Sequence, residues 1–578
     1  MSLSVDKKHL DIVFSEKFRC QVIGGENNKV SHFESKELDV AYSGNMQLDE
    51  HNCTASYVAQ QYQANQNVGE LFNSLTGAFW LLIVDKTNQK IVLVNDHVGI
   101  QPCYFSVQND CLYISDSLKL IKQQDIVSCT LSPQAIYNYF YFHCIPAPDT
   151  IYKECFKLAP ANAVTFDAHG SSVTQNLYSP KFAKHIEDQA VAQQECLAII
   201  EQAVAQQITP DCGAFLSGGL DSSTVAGMLS KHQQPAKTFS MGFEVPAYDE
   251  TAYAKITAEH FKTQHEILYL KPDMAAKEFV KVAQYFDEPF GNSSAMAAYF
   301  CATFAKEHGV THLLAGDGGD ELFAGNERYA KQKVFEHFHQ APKWLQALPR
   351  LAFDNPLTAS IPGLKKVTSY IRQADVPLPD RMENYNFIKQ LGAENMFPAA
   401  FLSEVDQEQP IELKRERYRQ CSNDDPVDGM LYLDWKFTLA DNDLVKVTKM
   451  CELAGVTVDF PLLDRRLIDF SCTIPAEVKL PGGQLRDFYK KSCKGFLNDA
   501  TLEKSKHGFG LPFGVWMKEN QQLKDITLKC LQQFKARNIV NHSLIDNALA
   551  AHQSVHAGYY GELIWIMVIL ELWLQGNE

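Results

Sequence analysis

The sequence predicts an α/β protein in two parts, and three observations predict it. Over roughly the first 180 residues, short apolar runs alternate with turn-forming residues, the pattern of packed antiparallel sheets. After about Pro180 the texture changes to helix, strand, glycine loop, helix and strand, the order of a parallel α/β sheet. The third observation is length: 578 residues exceed what one hydrophobic core organises, so the chain divides into 1–182 and 183–578.

In the first part, FWLLIV (79–84) and IVLV (91–94) are strands bounded by Asp85, Asn88, Asn95 and Asp96, side chains that favour turns. In the second part, Ala190, Cys196, Ile199, Ile200 and Val204 recur at helical spacing across 188–207. A compact strand at 213–216 runs into the string SGGLDSS, followed by an apolar helix at 223–230 and a strand at 237–243. A further buried strand at 310–315 ends in another Gly/Asp loop, and 328–423 reads as helical or irregular with proline breaks. The most apolar stretch, 563–574, is interrupted by Glu571; it is too short to span a bilayer and reads as a buried C-terminal helix. The opening MSLSVDKKHL holds no apolar signal-peptide core, and neither repeats nor low-complexity segments occur.

Net charge is -16, from 69 acidic and 53 basic residues. An acidic surface lacks the positive field that nucleic acid or an anionic membrane requires, so neither is expected as a partner. The 15 cysteines are scattered without a C-x-x-C pair, which excludes the paired spacing of zinc sites and suits reduced thiols in the cytoplasm. The His-Phe-His run at 337–339 has no matching ligand pattern and reads as a surface helix.

Ser217-Gly218-Gly219-Leu220-Asp221-Ser222-Ser223 sits where a buried strand meets a helix. Two glycines let the backbone turn sharply and bring N–H groups near an anion, and the helix N-terminus adds partial positive charge. The Walker lysine is absent; Asp221 stands instead, an acid that makes sense beside phosphate if it holds Mg²⁺. The string is similar to the pyrophosphate loop of ATP pyrophosphatases, which cleave ATP between its α and β phosphates and transfer AMP to a substrate oxygen. The second loop, Ala315-Gly316-Asp317-Gly318-Gly319-Asp320-Glu321-Leu322-Phe323-Ala324-Gly325, resembles the signature of the asparagine synthetase family. Asp287-Glu288-Pro289, Leu485-Arg486 with Tyr489-Lys490, the block Lys504-Ser505-Lys506-His507-Gly508-Phe509-Gly510-Leu511-Pro512 and the closing helix extend the resemblance over most of 190–578.

The resemblance implies a doubly wound parallel α/β synthetase domain with helical additions and the cofactors ATP and Mg²⁺. Carried over residue by residue, Leu216, Ser217, Gly218, Gly219, Asp221, Ser222, Ser240, Met241, Gly242, Gly316 and Asp317 bind ATP. Asp221 and Asp320 hold the metal. Adenylation turns a carboxylate oxygen into a leaving group, and an amine then forms the amide. Lys506 is expected against the α-phosphate and the tetrahedral intermediate. For the amine's proton, the resemblance points to a Glu, or a Tyr–Glu pair, shortly after the second loop; Glu336 with Tyr329 fits that position.

Glutamine-dependent members begin Met-Cys and carry Arg-Gly-Pro-Asp and Asn-Gly-Glu-Ile-Tyr-Asn strings that grip glutamine. Here residue 2 is Ser2, the first cysteine is Cys20, and the corresponding region reads SHFESKELDVAYSGN. The strings Leu75-Thr76-Gly77-Ala78-Phe79-Trp80 and 96–104 nevertheless resemble the scaffold of the glutaminase fold. Residues 1–182 are therefore expected to form a degenerate Ntn-hydrolase-like αββα domain without its chemistry, as in β-lactam synthetases and lasso-peptide cyclases. Where the family reads DRxSMxxxxExRxPxLD, this chain has Thr448, Thr457 and Asp459 in place of Asp, Glu and Arg, and Asn292 stands where an Asp is usual. The exchange of Arg for Asp predicts repulsion of a small dicarboxylate if that position faces substrate.

The expected activity is an ATP-dependent, AMP-forming amide ligase without glutaminase activity, acting on a small-molecule or peptide carboxylate. Lasso-type macrolactam closure is the preferred form, with a precursor peptide and its protease as partners and a homodimer as the assembly. Asparagine synthesis from ammonia or with a glutaminase in trans, β-lactam or sugar-acid amide formation, and a non-catalytic scaffold are the alternatives.

Overall fold

The computed structural model describes residues 5–15, 18–25, 29–48, 51–340, 342, 370–383, 386–421, 425–505 and 510–577. Strands β1 (Val5–Lys7), β2 (His9–Val13), β3 (Arg19–Ile23), β4 (Val30–Glu34), β5 (Leu38–Leu48), β6 (His51–Asn52), β7 (Leu75–Asp85), β8 (Lys90–Asn95), β9 (Tyr104–Gln108), β10 (Cys111–Ser115), β11 (Phe156–Lys157), β12 (Asn162–Phe166) and β13 (Ser172–Asn176) form two sheets. One runs β1-β4-β5-β7-β8-β12-β13 with β6 on β5, antiparallel throughout; the other runs β11-β9-β10-β3-β2, with β3 and β10 parallel.

FWLLIV lies inside β7, and its unbroken apolarity has a cause. Trp80, Leu82 and Val84 point into the core between the sheets, while Phe79, Leu81 and Ile83 point to the opposite face. There they meet Val58, Tyr62, Leu71 and Phe72 of the helices Ala55–Asn65 and Val68–Ser74. The helices Leu118–Lys122 and Pro133–Phe142 belong to the core beyond the second sheet, which completes an αββα layering.

The second part is built on β14 (Cys212–Phe215), β15 (Lys237–Phe243), β16 (Gln264–Leu270), β17 (His312–Leu314) and β18 (Thr457–Asp459). All neighbours are parallel and the order is β16-β15-β14-β17-β18. From β14 the chain winds outward through β15 to β16, then returns to β17 on the other side. That reversal is a topological switch point, and ligands of such sheets bind beyond the strand ends there.

The C-terminal helix Ala557–Asn577 is longer than the apolar run suggests. At 21 residues with mean hydropathy 1.4 it is long and apolar enough to cross a membrane by length and composition. In the fold, 72% of that stretch is buried in protein. The Trp573 indole donates to Phe286 O at 2.9 Å, Tyr139 donates to Ile566 O at 2.8 Å, and Arg537 pairs with the buried Glu571.

Candidate active site

A cavity of about 400 Å³ opens at the ends of β14, β15 and β17, between the two glycine loops. Leu216, Ser217, Gly219, Asp221, Ser222, Ser240, Met241, Gly316, Asp317 and Asp320 all line it. Gly218 and Gly242 do not; they shape the walls. Gly218 has φ +71, and a Cβ there would lie 2.4 Å from Ala254 N, so only glycine lets the loop press on the next helix. The helix Leu220–His232 starts at Gly219 without a side-chain cap, leaving its first N–H groups for a ligand. Ser217 and Ser222 hydroxyls lie 2.9 Å apart and Ser222 accepts from Ser217 N at 3.2 Å, which fixes the turn. Lys504 Nζ pairs with Glu250 at 3.2 Å beside the Ser217 carbonyl and ties the Lys504-to-Pro512 block to this loop. Lys506 itself, like Ser2, lies outside the described residues.

The two loops touch: a Cβ on Gly316 would come within 2.7 Å of Ser222 N. Glycine also makes room for the acids. A Cβ on Gly319 would sit 2.1 Å from Asp221 Oδ1, and one on Gly325 would sit 1.7 Å from Asp320 Oδ1. Between the carboxylates lies the Arg486 guanidinium, its Nη1 3.0 Å from Asp221 Oδ2 and 3.2 Å from Asp320 Oδ1. Two carboxylates that share one cation are spaced to share a metal ion, and an all-oxygen donor set suits Mg²⁺. The residues present therefore fit the implied ion.

The acids predicted downstream of the second loop are placed elsewhere. Glu336 is held by the buried Arg381, whose Nε donates to Gln332 at 2.6 Å, and it does not line the cavity. Tyr329 is fully buried; its hydroxyl donates to Asp434, and burial together with that carboxylate drives its pKa far above the ordinary phenol value. Among the acids that line the cavity, Asp317 has a raised pKa. Burial raises its pKa to about 6, against the opposing pull of Lys446. Lys446 Nζ pairs with Asp443 at 2.6 Å in the same wall, and burial is outweighed there by Asp443 and Asp317, so its ammonium is held charged. Asp443, Lys446, Glu250 and the contact of Arg486 with both acids escape the sequence reading. Helical spacing hides the first two inside an apolar helix pattern, and nothing local marks the others.

The substituted acceptor block also faces away. Thr457 and Asp459 lie on β18, where Thr457 Oγ1 is 2.8 Å from His312 Nδ1 and Asp459 Oδ2 is 3.4 Å from His312 Nε2. Thr448 lines a small cavity at the junction of the two parts. None of the three lines the main cavity, so the expected repulsion of a dicarboxylate by Asp459 does not arise; His312 answers that carboxylate inside the fold. Asn292 does line it, its amide donating to Asn442 Oδ1 at 2.6 Å.

A doubly wound sheet with an uncapped serine–glycine loop and two cation-sharing carboxylates at its switch point defines a nucleotide-binding α/β enzyme. Residues 195–575 match the family described as Asparagine synthase, and 58–178 match the Glutamine amidotransferase domain. The chain belongs to the asparagine synthase family and is an ATP-dependent carbon–nitrogen ligase of that type. It is 24% identical to asparagine synthetase (glutamine-hydrolyzing) 1 of Bacillus subtilis (strain 168), over 87% of this chain and 78% of that protein. With a Methanocaldococcus jannaschii protein provisionally named as a second glutamine-hydrolyzing asparagine synthetase it shares 31% identity, over 64% of this chain and 72% of the other. Among solved structures, a Bacillus subtilis glutamine phosphoribosylpyrophosphate amidotransferase is similar at 11% identity with a TM-score of 0.17, covering 50% of this chain and 63% of that one.

Proposed function

We propose that this ligase adenylates a substrate carboxylate for attack by an amine the substrate already carries, and that its own N-terminal part supplies no ammonia. The observation that carries the adenylation step is the pair Asp221 and Asp320 sharing one cation beside the uncapped loop. Open N–H groups of 220–222 and the Ser217 and Ser222 hydroxyls receive the phosphates. Asp221 and Asp320 would hold Mg²⁺, which would supply positive charge against the pyrophosphate. A carboxylate oxygen attacks the α-phosphorus and pyrophosphate leaves; the amine nitrogen then attacks the acyl carbon and AMP leaves. Asp317, with a pKa near 6, is ionised at neutral pH and faces the cavity, so it is placed to take the amine's proton. Lys506 remains the proposed partner of the intermediate.

Two features support the absence of a working glutaminase. The glutamine-gripping strings are missing from the sequence. The junction between the parts is crossed by the ion pair Lys157–Glu288 at 2.8 Å, beside Lys449–Asp287 at 2.8 Å. Peptide macrolactam closure, with a precursor peptide and its protease as partners, is the form of this chemistry we favour, with the boundary at 182/183, a homodimer and a cytoplasmic location as parts of the same reading. One observation favours a second reading, asparagine synthesis from ammonia: Thr457 and Asp459 do not line the cavity, so nothing at those positions excludes aspartate.

ATP–pyrophosphate exchange with a panel of carboxylates separates the two. Exchange with peptides bearing Asp or Glu and none with free aspartate supports the cyclase form. Exchange with aspartate, followed by asparagine on adding ammonia, supports the second. Release of glutamate from glutamine would refute the proposed loss of glutaminase.

A further inference from the structure

Asp221 and Asp320 come from different loops, yet one nitrogen of Arg486 touches both. The arginine is fixed from its backbone outward. It sits in the left-handed region at φ 55, its N–H donates to Ala324 O at 3.3 Å, and its carbonyl accepts from Lys490 N at 2.8 Å. Its side chain is 8% exposed, and a Cβ on Gly325 would lie 2.9 Å from its Cδ. A guanidinium is always charged in a protein, so the site carries a fixed positive charge. Among the described residues it is the cation that spans the two acids.

We propose that Arg486 is a resident counter-cation of the metal site, which makes metal binding conditional on the nucleotide. The inference rests on the reading of Asp221 and Asp320 as metal ligands. One guanidinium nitrogen of Arg486, in contact with both, holds the two carboxylates converged. A divalent cation arriving alone meets that guanidinium and is repelled. A cation arriving with a polyphosphate brings oxygens to which the guanidinium's planar fork can donate instead, so the acids are released to the metal. Metal and nucleotide then bind with positive coupling, and the coupling is reciprocal. ATP-free enzyme is thereby kept from holding a metal ion unproductively.

The test titrates the full-length protein with Mn²⁺, reading free Mn²⁺ by electron paramagnetic resonance, with and without α,β-methylene-ATP. Wild type should bind Mn²⁺ weakly alone and at least tenfold more tightly with the analogue. Arg486→Gln should bind Mn²⁺ alone on the order of tenfold more tightly than wild type, the scale on which a neighbouring charge shifts an ionic equilibrium, and should lose most of the coupling. Metal-only binding by Arg486→Gln no tighter than wild type would overturn the proposal. If that variant fails to fold, Arg486→Lys decides. It keeps the charge without the fork, so it should keep weak metal-only binding and lose coupling; unchanged coupling overturns the inference. A wild type that binds no Mn²⁺ even with the analogue overturns the metal-site reading itself, and this inference falls with it.

Discussion

Asp317 and Glu336 show at residue scale what spacing conveys and what it does not. Both are acids near the second loop, and one-dimensional position favours the later one. In the fold, helix Glu327–Gln340 carries Glu336 to Arg381, while Asp317 stays at the end of β17 in the cavity. Replacing Asp317 by Asn should leave pyrophosphate exchange within a fewfold of wild type yet slow amide formation by about 10²-fold or more, the usual loss for a general base. Stability should move the other way. The folded pKa of about 6 lies above the ordinary carboxylate value. The folded state therefore holds the proton more tightly than the unfolded chain, and stability is lost as pH rises from about 4 through 6. Asp317→Asn escapes that loss, so its Tm should exceed wild type at pH 8 and match it at pH 4. Gly325→Ala is the steric counterpart: a methyl 1.7 Å from Asp320 Oδ1 must displace that carboxylate. The variant should stay folded by circular dichroism and lose pyrophosphate exchange.

The elements were legible where apolar pattern and burial coincide. The strand at 237–243 agrees with β15, and Asp188 caps the predicted helix through Ala190 N and Val191 N. Edge strands were not legible. β16 is half-exposed and mixed in composition, and β18 is three residues long, so neither carries a clear period. Least legible is 435–443, which winds as a π-helix, a geometry that sequence period does not encode and that recurs at functional sites. Leu439 and Asp443 line the cavity; Ala440 and Asp441 face the other part, and Lys436 donates to Pro160 O at 2.7 Å. Burial, reinforced by Arg417, lowers the Lys436 pKa to about 7. The unfolded chain keeps that proton up to about pH 10.5. The buried charge thus costs stability below pH 7, and the cost is relieved as pH rises through 7 toward 10.5. Lys436→Met should raise Tm at pH 6, less the loss of one hydrogen bond of about 1 kcal/mol, and the gain should shrink toward pH 10. A pH-independent change in Tm would show that Lys436 is not the titrating group.

At the scale of the whole molecule, the retained N-terminal layers act as a structural partner of the synthetase part. Asp287 accepts from Ser117 Oγ at 2.5 Å and Lys119 N at 3.2 Å while pairing with Lys449; Glu288 accepts from Ile151 N at 3.0 Å while pairing with Lys157. The Asp287-Glu288-Pro289 block, in sequence a family marker, is in space a clasp across the joint. Arg417 extends it, pairing with Asp441 at 3.1 Å and donating to Ala147 O. Buried pairs of this kind contribute little net stability but are costly to break singly, about 3–5 kcal/mol when one partner is left charged and alone. Glu288→Ala should therefore destabilise the protein on that scale, whereas Lys157→Met with Glu288→Leu together should recover most of the loss. The same joint predicts one calorimetric transition for wild type, because neither part can unfold without exposing the other's unpaired charges. Two separate transitions in wild type, or a Glu288→Ala variant as stable as the parent, would show that the N-terminal part rides on the synthetase part without supporting it.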